Sequence, residues 1–141
     1  MEININKLPH PDYMPYPRNQ TVGFYPNREK MAQAIEELLS QGFDENDLNI
    51  FEGEQGLHAI DVEGSEHTFF EYLARKSQKF WGSGEWAFFE EANQELRKGH
   101  MILSVYTEDE TEKEIIASVM RRHGAYDIRY FSRAYTERLV K

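Results

Sequence analysis

The 141 residues include no cysteine. Disulfides, thiol nucleophiles and Cys-ligated zinc or iron–sulfur centres are excluded together. Proline is missing after Pro26, because Pro9, Pro11, Pro15, Pro17 and Pro26 are all there are. The rest of the chain is thus free of the residue that most readily breaks helices and central strands. No apolar run approaches the ~20 residues that span a bilayer. The opening MEININKLPHPDYMPYP also lacks the apolar stretch of a secretory signal, so a cytoplasmic protein is expected. Bases are scarce, 16 against 25 acids, a net charge of −9. That sign repels phosphate backbones at long range and argues against nucleic acid as a partner.

The charge is uneven. Residues 21–60 hold eight acids against two bases, a net −6, whereas residues 115–141 hold six bases against two acids, a net +4. Two ends of opposite sign attract within one fold or between subunits. Hydrophobic residues make up 40% of the chain and aromatics 13%, enough to build a core in one domain.

The prolines make residues 1–20 a flexible Pro-rich arm, and residues 21–141 a single domain. TVGFYP (21–26) reads as a strand. Asn27 is an N-cap type, and Met31, Ala34, Ile35, Leu38 and Leu39 follow at helical spacing until Gly42. DLNIFEG (47–53) is the next strand. A second such unit runs from HMILSVYT (100–107) through a helix with Ile115, Ile116, Val119 and Met120 on one stripe. Thr111 and Glu114 have capping-box spacing, and Gly124 stands at the helix end. YDIRYF then forms a strand with Tyr126, Ile128 and Tyr130 on one face and Asp127, Arg129 and Phe131 on the other.

GEQGLHAIDVEGSEH (53–67) reads as mostly loop. From Thr68, Phe69, Tyr72, Leu73 and Phe80 share a helical face. Gly82-Ser83-Gly84 interrupts it, and Trp86, Phe89 and Leu96 mark a further helix closed by Gly99. The expected fold is α+β: a ferredoxin-like sandwich of two β-α-β units. Its antiparallel four-stranded sheet carries a helical hairpin inserted at about 67–98. The second sheet face then needs cover from the hairpin or from another subunit.

TVGFYPNREKMAQAIEELLSQGFDENDLNIFEGEQG resembles the start of the YflT-like general stress protein family of bacteria, which shows a "V-G-V-F" strand, a helix ending in "G-F" and a "G-E-x-G" loop. ELRKGHMILSV and MRRHGAYDIRYFSRAYTERL are similar to its later segments, so the resemblance covers about residues 21–139. Ser132 and Ala134 depart from the Gly and Trp usual there. The resemblance implies a stress-associated protein and brings no catalytic residue set with it.

Chemical motifs are few. Gly53, Glu54, Gln55 and Gly56 match neither phosphate-loop pattern, and two acids flank them. His58, Asp61 and His67 lack a metal-site signature, and no serine has a nucleophile-elbow context. His100 beside Gly99 has no partner base that the sequence identifies. Glu36/Glu37 and Glu90/Glu91 are adjacent on helices and point apart. No catalytic residue, cofactor or metal is therefore expected. Phe80, Trp81, Trp86, Phe88 and Phe89 remain as a candidate interface or pocket. The preferred reading is a non-enzymatic, stress-associated protein acting through self-association, as a homodimer or higher homo-oligomer, or through a protein partner. The alternative is a small-molecule-binding regulatory module or enzyme with a pocket between sheet and hairpin.

Overall fold

A computed structural model describes residues 4–12, 14, 18–60, 82–132 and 136–140, with backbone alone for 82–87 and 140. In chain order the regular elements are β1 (Gln20–Tyr25), α1 (Arg28–Ser40), β2 (Leu48–Phe51), α2 (Gly53–Ala59), α3 (Gly82–Arg97), β3 (Met101–Tyr106), α4 (Glu110–Arg122), β4 (Tyr126–Phe131) and β5 (Thr136–Val140). The fold is α+β. Its sheet has five strands in the order β2-β3-β1-β4-β5, all pairings antiparallel.

Local signals place the first helix. The Asn27 side chain accepts from the Lys30 amide at 2.9 Å and caps α1. At its other end Gly42 adopts φ 98°, so the Phe43 amide reaches the Leu38 carbonyl at 3.1 Å. The cap of α4 differs from expectation. Asp109, two residues ahead of Thr111, is the N-cap, and Glu112 accepts from the Glu108 amide at 3.0 Å. The helix starts one residue before Thr111, so Asp109 and Glu112 hold the box spacing where it can act.

Strand alternation splits the core in two. Tyr25, Ile50, Leu103, Val105 and Ile128 pack with Met31, Ile35 and Leu38 of α1 and with Ile116, Val119 and Met120 of α4. Val22, Phe24, Phe51, Ile102 and Phe131 face the opposite way, onto Ala59 and Ile60 beside α2 and Phe88, Phe89, Ala92 and Leu96 of α3. The second sheet face is thus covered by the chain's own inserted helices. A Cβ on Gly23 would stand 2.7 Å from Met120 Cε and 3.3 Å from Ile128 Cγ1, so the Met120 side chain would have to shift.

Four further expectations are corrected. A fifth strand, β5, extends the predicted four-stranded sheet beyond β4. Residues 53–59, expected as loop, form α2. Its buried side is Gly56 and Ala59, and Gly56 is needed because a Cβ would lie 2.9 Å from the Phe51 carbonyl carbon. Such small residues leave almost no apolar periodicity to detect. Next, Tyr126 does not share a face with Ile128. Asp127 (φ 54°) and Ile128 together oppose Gly23, and this bulge turns Tyr126 toward the Phe24 side.

The last concerns the expected flexible arm, residues 1–20, which over its described part packs on the domain. Ile5 and Leu8 join the α1/α4 core, and Met14 joins the other. Between them the Pro9 carbonyl accepts from the Ile50 amide at 3.0 Å, so the segment wraps the outer edge of β2 from one face to the other. Proline suits this path because only its carbonyl is used.

Candidate functional site

Phe88 and Phe89 lie under the sheet. The Phe88 ring stands edge-on to Phe131 at 4.9 Å between centroids and contacts Phe24 and Phe89. Both are buried, so they are core residues of this chain and not a surface for another. Phe80 and Trp81 lie outside the described residues, and Trp86 is on α3 with only its backbone described. Over the described part of the hairpin, Phe88, Phe89 and Leu96 pack with Ile60 against the sheet, while residues 61–81 lie outside the described residues.

The polar side chains gather into clusters that tie elements together. Glu95, at the end of α3, accepts from the Tyr126 hydroxyl and from His100 Nδ1 at 3.0 Å, and pairs with Lys98. Burial alone would raise the Glu95 carboxyl. The bonds from His100, Tyr126 and Lys98 outweigh it and hold the group below the usual glutamate range. Burial and the Glu95 carboxylate together push the Tyr126 phenol up. His100, which the sequence left without a partner base, therefore has a carboxylate, with α3 and β4 held at the mouth of β3. Its Nδ1 is the engaged nitrogen.

Three further clusters do similar work. Glu37 joins α1 to the end of α4 through Arg122 and through His123 Nε2 at 2.8 Å. The His123 hydrogen bond lowers the Glu37 carboxyl. Arg129, only 7% exposed, pairs with Glu91 and Asp127 and lies over the Phe88 ring. Asp127 also pairs with Arg138 of β5 at 3.2 Å. Glu52 holds His10 at 2.8 Å and Arg28 at 2.9 Å, fastening the N-terminal segment over β2. Of these clusters, the one at Glu37 joins the acidic residues 21–60 to the basic residues 115–141.

Among the described residues no group of three His, Asp or Glu side chains could hold a metal ion. His58 is exposed on α2, while Asp61 and His67 fall outside the described residues. Gly53 to Gly56 form the first turn of α2. Two grooves lie open among the described residues. One of about 280 Å³ runs between α2 and α3, lined by Glu54, Leu57, His58, Asn93 and Arg97. The other, about 380 Å³, is lined by Glu114, Ala117, Ser118 and Arg121 of α4 and by Leu139 of β5.

This second groove adjoins a sheet edge. The two edges differ: β2 is wrapped by residues 5–12 and 14, whereas no strand among the described residues pairs with the outer side of β5. The edge is restricted, though no described strand covers it. The β4–β5 register shifts between Ile128 and Arg129, and Glu137 and Arg138 place charges along it. Ile115, expected on the buried stripe of α4, is 48% exposed near the groove. Neither the Glu114 nor the Arg121 side chain has a hydrogen bond or ion pair among the described residues. Sequence reading passed over this strip. Its signal was the spacing of Glu114, Ala117, Ser118 and Arg121, one helical face flanking the apolar stripe. No protein-family model, curated protein or solved structure matches the chain.

Proposed function

We propose that this chain is a non-enzymatic protein of the stress-associated type its sequence resembles, and that it acts by self-association along the β5 edge. One observation carries the reading: the fold wraps one edge of its sheet and leaves the other beside an open groove. Exposed strand edges pair readily with another chain, and a groove alongside supplies side-chain selectivity. Phe88 and Phe89 are buried and so are left out of the proposed surface, which uses α4 and β5 instead.

Within the sheet, the order β2-β3-β1-β4 with crossing helices α1 and α4 supports a ferredoxin-like reading, extended by β5. No described helix is long and apolar enough to cross a membrane. A cytoplasmic setting agrees with the lack of cysteine. Native mass spectrometry of the purified chain tests the function. A dimer or higher oligomer without extra mass supports it. A monomer carrying a reproducible added mass refutes it in favour of the small-molecule alternative, whose first place to look is the polar groove between α2 and α3.

A further inference from the structure

We infer that the occupant of the β5–α4 edge is a second copy of this chain, related by a two-fold axis that passes beside Leu139. The inference rests on the self-association reading above and specifies its geometry. When two identical strands pair antiparallel about a two-fold axis, one residue faces its own copy. With the axis at Glu137 or Arg138, like charges would stand directly opposite, which is destabilising. With the axis at Leu139, an apolar side chain meets its copy and Arg138 faces position 140. Leu139 is also the β5 residue that lines the groove.

The same axis makes the helix strip complementary to itself. Glu114 and Arg121 stand seven residues apart, about 10 Å along α4, with Ala117 and Ser118 between them. A two-fold rotation reverses the strip end for end. Glu114 then meets the partner's Arg121, and Arg121 meets the partner's Glu114, around a centre of small side chains. An unrelated partner would need to match that antisymmetry, whereas a second copy supplies it. Like charges disfavour registers centred on Glu137 or Arg138, and the α4 strip beside Leu139 points to this one; Leu139 is the residue of β5 left without a β4 partner at the register shift.

Sedimentation of wild type, Glu114→Arg, Arg121→Glu and the double variant tests the geometry. Both positions are exposed on α4, so thermal melts should confirm intact folds. Each single change places like charges across the axis twice and is expected to raise the dissociation constant about tenfold or more. The double variant restores both pairs and is expected to return to within about threefold of wild type. A dimer indifferent to the single changes, or one weakened equally by the double, overturns the two-fold arrangement while leaving self-association standing. A wild-type chain that remains monomeric up to about 100 μM overturns self-association itself, and the arrangement with it.

Discussion

Replacing Phe88 by Ala removes the ring at the centre of the α3 face of the sheet. Its neighbours are Phe24, Phe89 and Phe131, and the Arg129 guanidinium lies 5.5 Å from its centroid. Deleting a buried phenylalanine side chain typically costs about 3–5 kcal/mol, the lost transfer energy plus the cavity left behind. The site collapses poorly because strands hold it on one side and a helix on the other, so the upper half of that range applies. Arg129 would also lose the aromatic face it rests on, while keeping Glu91 and Asp127. Against a total stability of about 5–15 kcal/mol, this is a severe change. It corresponds to a fall in Tm of roughly 10–20 °C for a domain of this size. Urea denaturation gives the free energy, and calorimetry at two protein concentrations separates folding from assembly. A core residue lowers stability equally at both concentrations. A loss under about 1 kcal/mol, or one that appears only through weakened assembly, would refute the core assignment and return Phe88 to an interface.

The Tyr25 hydroxyl is buried with no hydrogen-bond partner among the described residues, and burial pushes its ionisation up. Tyr25→Phe is therefore expected to be neutral or to stabilise by about 1 kcal/mol, and a clear loss in urea melts would reveal a missed partner. Glu95 has a folded-state pKa below its ordinary value of 4.5. Its stabilising contribution is complete above that value and fades as pH falls through the lower, folded-state one. Wild type should thus exceed Glu95→Gln by about 1–2 kcal/mol at pH 7 and the gap should close toward pH 3; a gap independent of pH contradicts the assignment. Deleting residues 1–12 removes Ile5, Leu8 and the Pro9 acceptor. Faster hydrogen exchange at the Ile50 amide and a loss of stability of at least about 2 kcal/mol are expected, whereas unchanged exchange would show the wrap to be incidental.

Much of the framework is legible because it depends on neighbours in sequence. Asn27 and Gly42 bracket α1 by cap chemistry, and Met31, Ala34, Ile35 and Leu38 recur with the helical period. Alternation in HMILSVYT marks β3, where Ile102 and Leu103 enter opposite cores. The site is far less legible. Phe88 and Phe89 drew notice as large aromatics, but composition does not reveal whether such residues face inward or out. Glu114 stood out only as a capping residue, Arg121 only as one of six bases and Leu139 not at all, since a charge pair and a lone leucine gain meaning only when a helix lies beside an edge strand. TERLV alternates weakly and is short, so β5 emerges only when β4 is present to pair with it.

The sequence alone determined the strand–helix–strand units, the α+β class and the exclusion of thiol chemistry, because propensity, capping and periodicity act over a few residues. Tertiary structure decided the rest. It placed α2 against β2 through a glycine with no side chain to signal it, and turned Tyr126 over at a bulge opposite Gly23. It wrapped the N-terminal segment over one sheet edge and left β5 on the other. Each outcome depends on groups distant in the chain competing for the same space and hydrogen bonds, and no local pattern records which of them wins.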